Sequence, residues 1–270
     1  MQADEAASKP GAIMTTLNDI EICNEIDAQR LIFNSDANGL AGACYELRLG
    51  NVYYDLTEGG NRFVLNPGEA ALIKPGHRVV LITAEEFDVP ADILVRIVSK
   101  GSLFSVGLSP VATYADPGFK GNLGIVTENI SDKYIQLPQG EPIAKADFTR
   151  LSGPSAKPYH GQHGFQAGIW PIKTHLQKVH ADVKSDWRVQ SERTEALALL
   201  PTATRTIIRR IENSQAWINA SLVIAMFVNA LALFAMGKGW VDNFHAILTN
   251  LISSAIVGFI TLLVTYLRKT

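Results

Sequence analysis

The sequence predicts a mainly β domain with a short helical start, joined through a charged segment to a C-terminal pair of membrane-spanning helices. Three observations predict it. Between Ile13 and Pro171, short runs rich in Val, Ile, Leu and Tyr (VYYDL, RFVLNPGEAALIKPGHRVVLIT, ILVRIVS, LGIVTEN) are separated by the turn signals NPGE, KPGH, DPGFKG and LPQGEP. Two later runs, Trp217–Met236 and His245–Leu267, hold no Asp, Glu, Lys or Arg. Between these regions, residues 172–215 change to mixed charge with spaced apolar positions.

Residues 1–12 are small and polar, with no apolar core to engage an export machinery, and are expected to be a disordered lead-in without a secretory signal. Residues 13–171 form the β domain, whose Pro-Gly pairs fix φ and then supply a position of positive φ. In residues 172–215, Leu176, Val179, Val183 and Trp187 stand at helical spacing and predict a stalk helix. Pro201 should end it, and Thr202 or Thr204 should cap a new helix that runs into the first span. His175 and His180 are five residues apart and share no helix face, so they make no metal pair. No metal site is expected in the chain.

Composition excludes some classes. A net charge of −2 gives no basic field for DNA or RNA, so no nucleic acid partner is expected. The two cysteines, Cys23 and Cys44, read as reduced structural thiols.

Residues 216–270 read as a transmembrane hairpin, with spans at 217–236 and 245–267. Each is long enough to cross a bilayer, and the short turn GKGWVDNF returns the chain to its starting side. Arg205, Arg209 and Arg210 precede the first span, and Arg268 and Lys269 follow the second. Both ends are therefore expected on the cytoplasmic side of a bacterial inner membrane, with the lipid bilayer as a partner. Trp217, Trp240 and Tyr266 sit where interfacial aromatics belong. Asn219, Asn229, Thr249, Asn250, Ser253, Ser254 and Thr261 are expected to seek partners on neighbouring helices.

Four strings carry a resemblance: ACYELRLGNVY, SKGSLFSVGL, YADPGFKGNLGIVTEN and LPQGEPIAKADFTRLSGPSAKPYHGQHGFQAG, in this order. Together, from about Ile20 to Gly168, they resemble the dCTP deaminase/dUTPase family, and the LRLG, DPGF and LSGP strings look more like its deaminase branch. The resemblance implies a dUTPase-like distorted β-barrel assembled as a homotrimer, with nucleotide sites shared between subunits and the triphosphate carried with Mg2+. It places Lys100 and Ser102 on the phosphates, and Asp116 and Phe119 on the turn that serves the sugar. In a hydrolase Asp116 would be the catalytic residue that activates water. Tyr159 and Gln166 match arm residues that fold over the base.

The same alignment shows departures. Lys100 keeps a charge but lacks the bidentate fork of the family's arginine. Gly101 stands for a serine, and Ser105 for a second arginine. Val126 stands where deaminases carry their proton-transferring glutamate, and valine moves no protons. Glu128 lies on the same strand face but about 6–7 Å further along. An Asp116 that merely caps its own Pro-Gly bend is the plainer alternative for that residue.

These features predict a membrane-tethered nucleotide sensor with a catalytically degenerate domain. Its architecture is analogous to the membrane effectors of bacterial antiphage defence. The alternatives are a membrane-anchored dUTP pyrophosphatase or dCTP deaminase, and an inert structural head.

Overall fold

A computed structural model describes residues 15–161, 168, 170–240 and 242–269. The expected lead-in, residues 1–12, lies outside them. The chain divides into two units, residues 1–174 and 175–270.

The first unit is mainly β. Its helical start is α1 (Asp19–Asp27), opened by a capping box in which the Asn18 side chain accepts from the Glu21 N–H and the Glu21 carboxylate from the Asn18 N–H. The strands are β1 (Thr15–Thr16), β2 (Leu31–Phe33), β3 (Leu40–Ala41), β4 (Cys44–Asp55), β5 (Asn61–Val64), β6 (Ala70–Ile73), β7 (Arg78–Asp88), β8 (Ile93–Ser99), β9 (Ala112–Ala115), β10 (Lys120–Glu128), β11 (Ile135–Pro138) and β12 (Pro142–Arg150). The main sheet runs β10-β7-β4-β12-β8-β9, and β6 pairs with β11 in a second, two-stranded sheet. The predicted Pro-Gly turns are present, with positive φ at Gly68, Gly76 and Gly118.

β4 is long enough to serve both halves of the main sheet. Its first residues pair with β12 (Tyr45 opposite Ala146) and its last with β7 (Asp55 opposite Val79). The strand bends at the end of the LRLG string, where a Cβ on Gly50 would come within 3.0 Å of the Ile82 and Thr83 carbonyl oxygens. Only glycine lets these backbones meet so closely. Arg48, two residues earlier, clamps this corner: its Nε and backbone N–H donate at 2.7 and 2.8 Å to the fully buried carboxylate of Glu85.

The sheet curls into a half-barrel. After β8 comes α2 (Gly101–Ser105), and the segment beyond it bonds to the end of β10: Ser109 N–H donates to Glu128 O and Ile130 N–H to Gly107 O. The enclosed core includes Tyr45, Leu47, Phe87, Phe148 and Ile97, all essentially without solvent exposure. A smaller apolar cluster, Val52, Tyr54, Val80 and Ile82, lies on the sheet's other face and is covered by Trp170 and Ile172.

The second unit corrects the expected stalk. Instead of one helix through Leu176, Val179, Val183 and Trp187, the chain makes a 3-10 turn at Thr174–Leu176 and two short helices, α3 (His180–Val183) and α4 (Glu192–Leu199). Leu176, Val179 and Trp187 are 68%, 66% and 92% exposed, so this apolar spacing gains no burial to stabilise a helix. The next helix, α5 (Thr202–Gly237), does run through the first apolar run, but neither threonine caps it: Pro201 holds the cap position with no side-chain bond.

Helix α6 (Asn243–Lys269) packs against α5, and Ser253 Oγ donates to Asn229 Oδ1 at 2.8 Å, a cross-helix partnership of the kind expected for these polar residues. By length and composition α5 can cross a membrane, with a mean hydropathy of 2.1 over its most apolar window and none of that window buried. The apolar stretch Ile247–Phe259 of α6 is shorter.

Candidate nucleotide site

β9 and β10 are joined by the turn Asp116–Phe119, closed by a Phe119 N–H to Asp116 O bond of 2.9 Å. Gly118, at φ +90°, gives the turn its hand, and its N–H donates to Val89 O, which fixes the turn against the end of β7. Beside it lies a cavity of about 290 Å³, lined by Thr113, Tyr114, Asp116, Phe119, Leu123, Gly124, Tyr159 and Trp170. Asp116 is exposed, and its carboxylate accepts no hydrogen bond from the described residues, so its side chain does not cap its own bend. Phe119 is buried, and the Tyr159 ring leans on it at 5.8 Å between centroids. Tyr159 is tied to the turn by its N–H, which donates to Pro117 O at 2.7 Å. Three predicted residues, Asp116, Phe119 and Tyr159, thus share one cavity. Gln166 lies outside the described residues.

Lys100 and Ser102 are elsewhere. Lys100 precedes α2, and its Nζ donates to Glu46 Oε2 at 2.6 Å, while Lys145 reaches the other oxygen of Glu46 at 3.5 Å. The Lys100 hydrogen bond is the main cause that holds the Glu46 carboxyl below its ordinary range. Ser102 is exposed one residue into the helix. The β8–β9 register sets Val98 opposite Ala112 and Val95 opposite Ala115, so Lys100 and Asp116 stand at opposite ends of the ribbon. Strand rise separates them by roughly 20 Å.

Val126 is half exposed on β10, opposite Val80. Glu128 faces Arg78 across the strands, with its Oε2 3.7 Å from Arg78 Nε. Among the described residues, Asp116 is the one carboxylate in the cavity lining.

Among the described residues, one further group of potential metal ligands, Asp55, Glu58 and His77, was not legible in the sequence spacing. It is paired internally: His77 Nδ1 sits 2.8 Å from Asp55 Oδ2, the Thr57 and Glu58 N–H groups donate to Asp55 Oδ1, and Lys74 meets Glu58. Sequence reasoning also missed Tyr114, Gly124 and Trp170 in the cavity lining. Gly124, inside the strand pattern of β10, was the available signal, since a glycine in a strand interior marks a close approach.

Residues 16–151 match the dCTP deaminase-like family. The dUMP-forming dCTP deaminase of Clavibacter michiganensis subsp. michiganensis (strain NCPPB 382) is 30% identical over 189 residues, 62% of this chain and 94% of that protein. The dCTP deaminase of Thermococcus gammatolerans (strain DSM 15229 / JCM 11827 / EJ3) is 28% identical over 160 residues, 57% of this chain and 96% of the relative. The crystal structure of 2'-deoxycytidine 5'-triphosphate deaminase from Agrobacterium tumefaciens aligns at a TM-score of 0.45 and 15% identity, over 51% of this chain and 48% of that one, so the chain spans about half the length of that structure. Through residues 16–151, the chain belongs to the dCTP deaminase-like family.

Proposed function

We propose that this chain is a membrane-tethered nucleotide-binding protein whose deaminase-like domain binds a deoxynucleotide without deaminating it. The observation that carries the reading is the cavity lining: among the described residues its one carboxylate is Asp116, and the strand position expected to move protons holds Val126. Deamination needs a group that shuttles protons between water and the ring. Glu128, the nearest substitute on that strand face, is turned to Arg78.

The ligand is a nucleoside triphosphate carried with magnesium, its sugar at Asp116 and its base beside Tyr159. Lys100 and Ser102, roughly 20 Å from Asp116 by strand rise, serve the phosphates of a site completed by a second copy. That separation supports a homotrimer with shared sites. Helices α5 and α6 form the anchor in a bacterial inner membrane, with both chain ends cytoplasmic, supported by the apolarity of α5 and the arginines before its span. A nucleotide site without a proton shuttle, fused to a tether, suits an effector that reports nucleotide changes to the membrane, as in antiphage defence.

A second reading, dUTP hydrolysis, is favoured by one observation: the exposed Asp116 carboxylate is open to polarise a water. Lys100→Ala and Asp116→Asn separate the two. In the sensor reading, Lys100→Ala lowers affinity for dUTP and dCTP and neither protein releases pyrophosphate. Pyrophosphate release by the wild type that vanishes in Asp116→Asn, with binding intact, would establish the hydrolase instead.

A further inference from the structure

We infer that Trp170 is a ligand-contacting residue of this site, the wall on which a planar base stacks, and that Gly124 is glycine to seat it. The inference rests on the nucleotide reading above and adds a residue outside the family's matched strings. The geometry begins at β10. A Cβ on Gly124 would lie 2.5–2.7 Å from three atoms of the indole's six-membered ring, so the ring occupies the space a side chain would otherwise fill. With the ring in that place, about 290 Å³ of cavity remains between it and the Asp116 turn. The indole is therefore a wall and not the occupant.

Its position is fixed from both sides. The Trp170 N–H donates to Tyr54 Oη at 3.1 Å, and Tyr54 Oη reaches the Gly168 carbonyl at 3.5 Å. Two residues on, Ile172 packs with Val52, Tyr54, Val80 and Ile82 on the sheet face. A ring whose backbone is tied to Tyr54 and which packs over Gly124 of β10 loses little freedom when a ligand arrives, which is the condition for efficient stacking. Among the described residues, the cavity then offers the Trp170 indole, the Tyr159 ring and one carboxylate, Asp116. That combination suits an uncharged aromatic base joined to a hydroxyl-bearing sugar, with charged groups projecting out of the cavity.

The test uses the full chain in detergent, titrated with dUTP and with dCTP in magnesium, following heat and tryptophan fluorescence. Trp170→Ala is expected to weaken binding about ten-fold or more, the usual effect of removing a stacking aromatic. Trp170→Phe, which keeps a flat ring, is expected to stay within about three-fold while losing the ligand-induced quench. Gly124→Val, which expels the indole by steric overlap, is expected to behave like Trp170→Ala. Wild-type affinity or tighter binding in Trp170→Ala would overturn the inference and leave the nucleotide reading standing, as would equal losses in the Phe and Ala variants. A wild-type chain that binds neither nucleotide would overturn both.

Discussion

At the scale of single residues, the site is a set of charges with unequal freedom. The Lys100 ammonium, the expected phosphate contact, is engaged by Glu46, whereas the Asp116 carboxylate accepts nothing from the described residues. A phosphate arriving at Lys100 must compete with Glu46. Replacing Glu46 with Gln should therefore tighten triphosphate binding several-fold, which equilibrium titration would measure. The same pair carries a pH signature. Because Lys100 holds the Glu46 carboxyl below its ordinary range, the folded protein binds that proton less readily than the unfolded chain. The pair's contribution to stability is complete above the ordinary glutamate pKa of about 4.3 and is lost as the pH falls through the depressed value. Glu46→Gln should lose less stability than the wild type on acidification from about pH 5 to 3, as urea titrations across that range would show. An identical acid slope in both proteins would mean the pair contributes nothing.

At the scale of elements, the corner of β4 is tightly constrained. Gly50 brings two backbones together, and Arg48 satisfies the buried Glu85 across the bend. Removing Arg48 leaves the fully buried Glu85 carboxylate without its charged partner, so Arg48→Ala should cost about 3–5 kcal/mol, seen as a lower urea midpoint for the β domain. The strands were legible because β-branched runs and Pro-Gly turns are local signals. The opening helix carried its capping box in Asn18 and Glu21, although only its presence was anticipated. The stalk misled because four apolar residues at helical spacing specify a helix only where a surface exists to bury them, and Trp187 is 92% exposed. Trp170 over Gly124 was illegible for the opposite reason. It is a long-range contact between residues 46 positions apart (170 − 124), and neither one signals the other.

At the scale of the whole molecule, residues 16–151 belong to the dCTP deaminase-like family, and α5 is long and apolar enough to cross a membrane. Asp116, Phe119 and Tyr159 were legible as a group because they lie on a turn and an arm that the turn holds. The distance of Lys100 and Ser102 from Asp116 was not legible, because the β8–β9 register sets it. If α5 and α6 span a membrane as proposed, the full chain should sediment with membranes and resist extraction by high salt or alkaline carbonate. A chain ending before Thr202 should appear in the soluble fraction, and full-length protein released by carbonate would argue against a spanning hairpin.

Binding without deamination is open to a single assay. The most direct test incubates the full chain in detergent with dCTP or dUTP and magnesium, while ammonia, pyrophosphate and heat of binding are followed together. Saturable heat is expected with at least one nucleotide, with no product in either channel. Ammonia release from dCTP would contradict it, because a proton-transfer group would then have to exist where the structure places Val126.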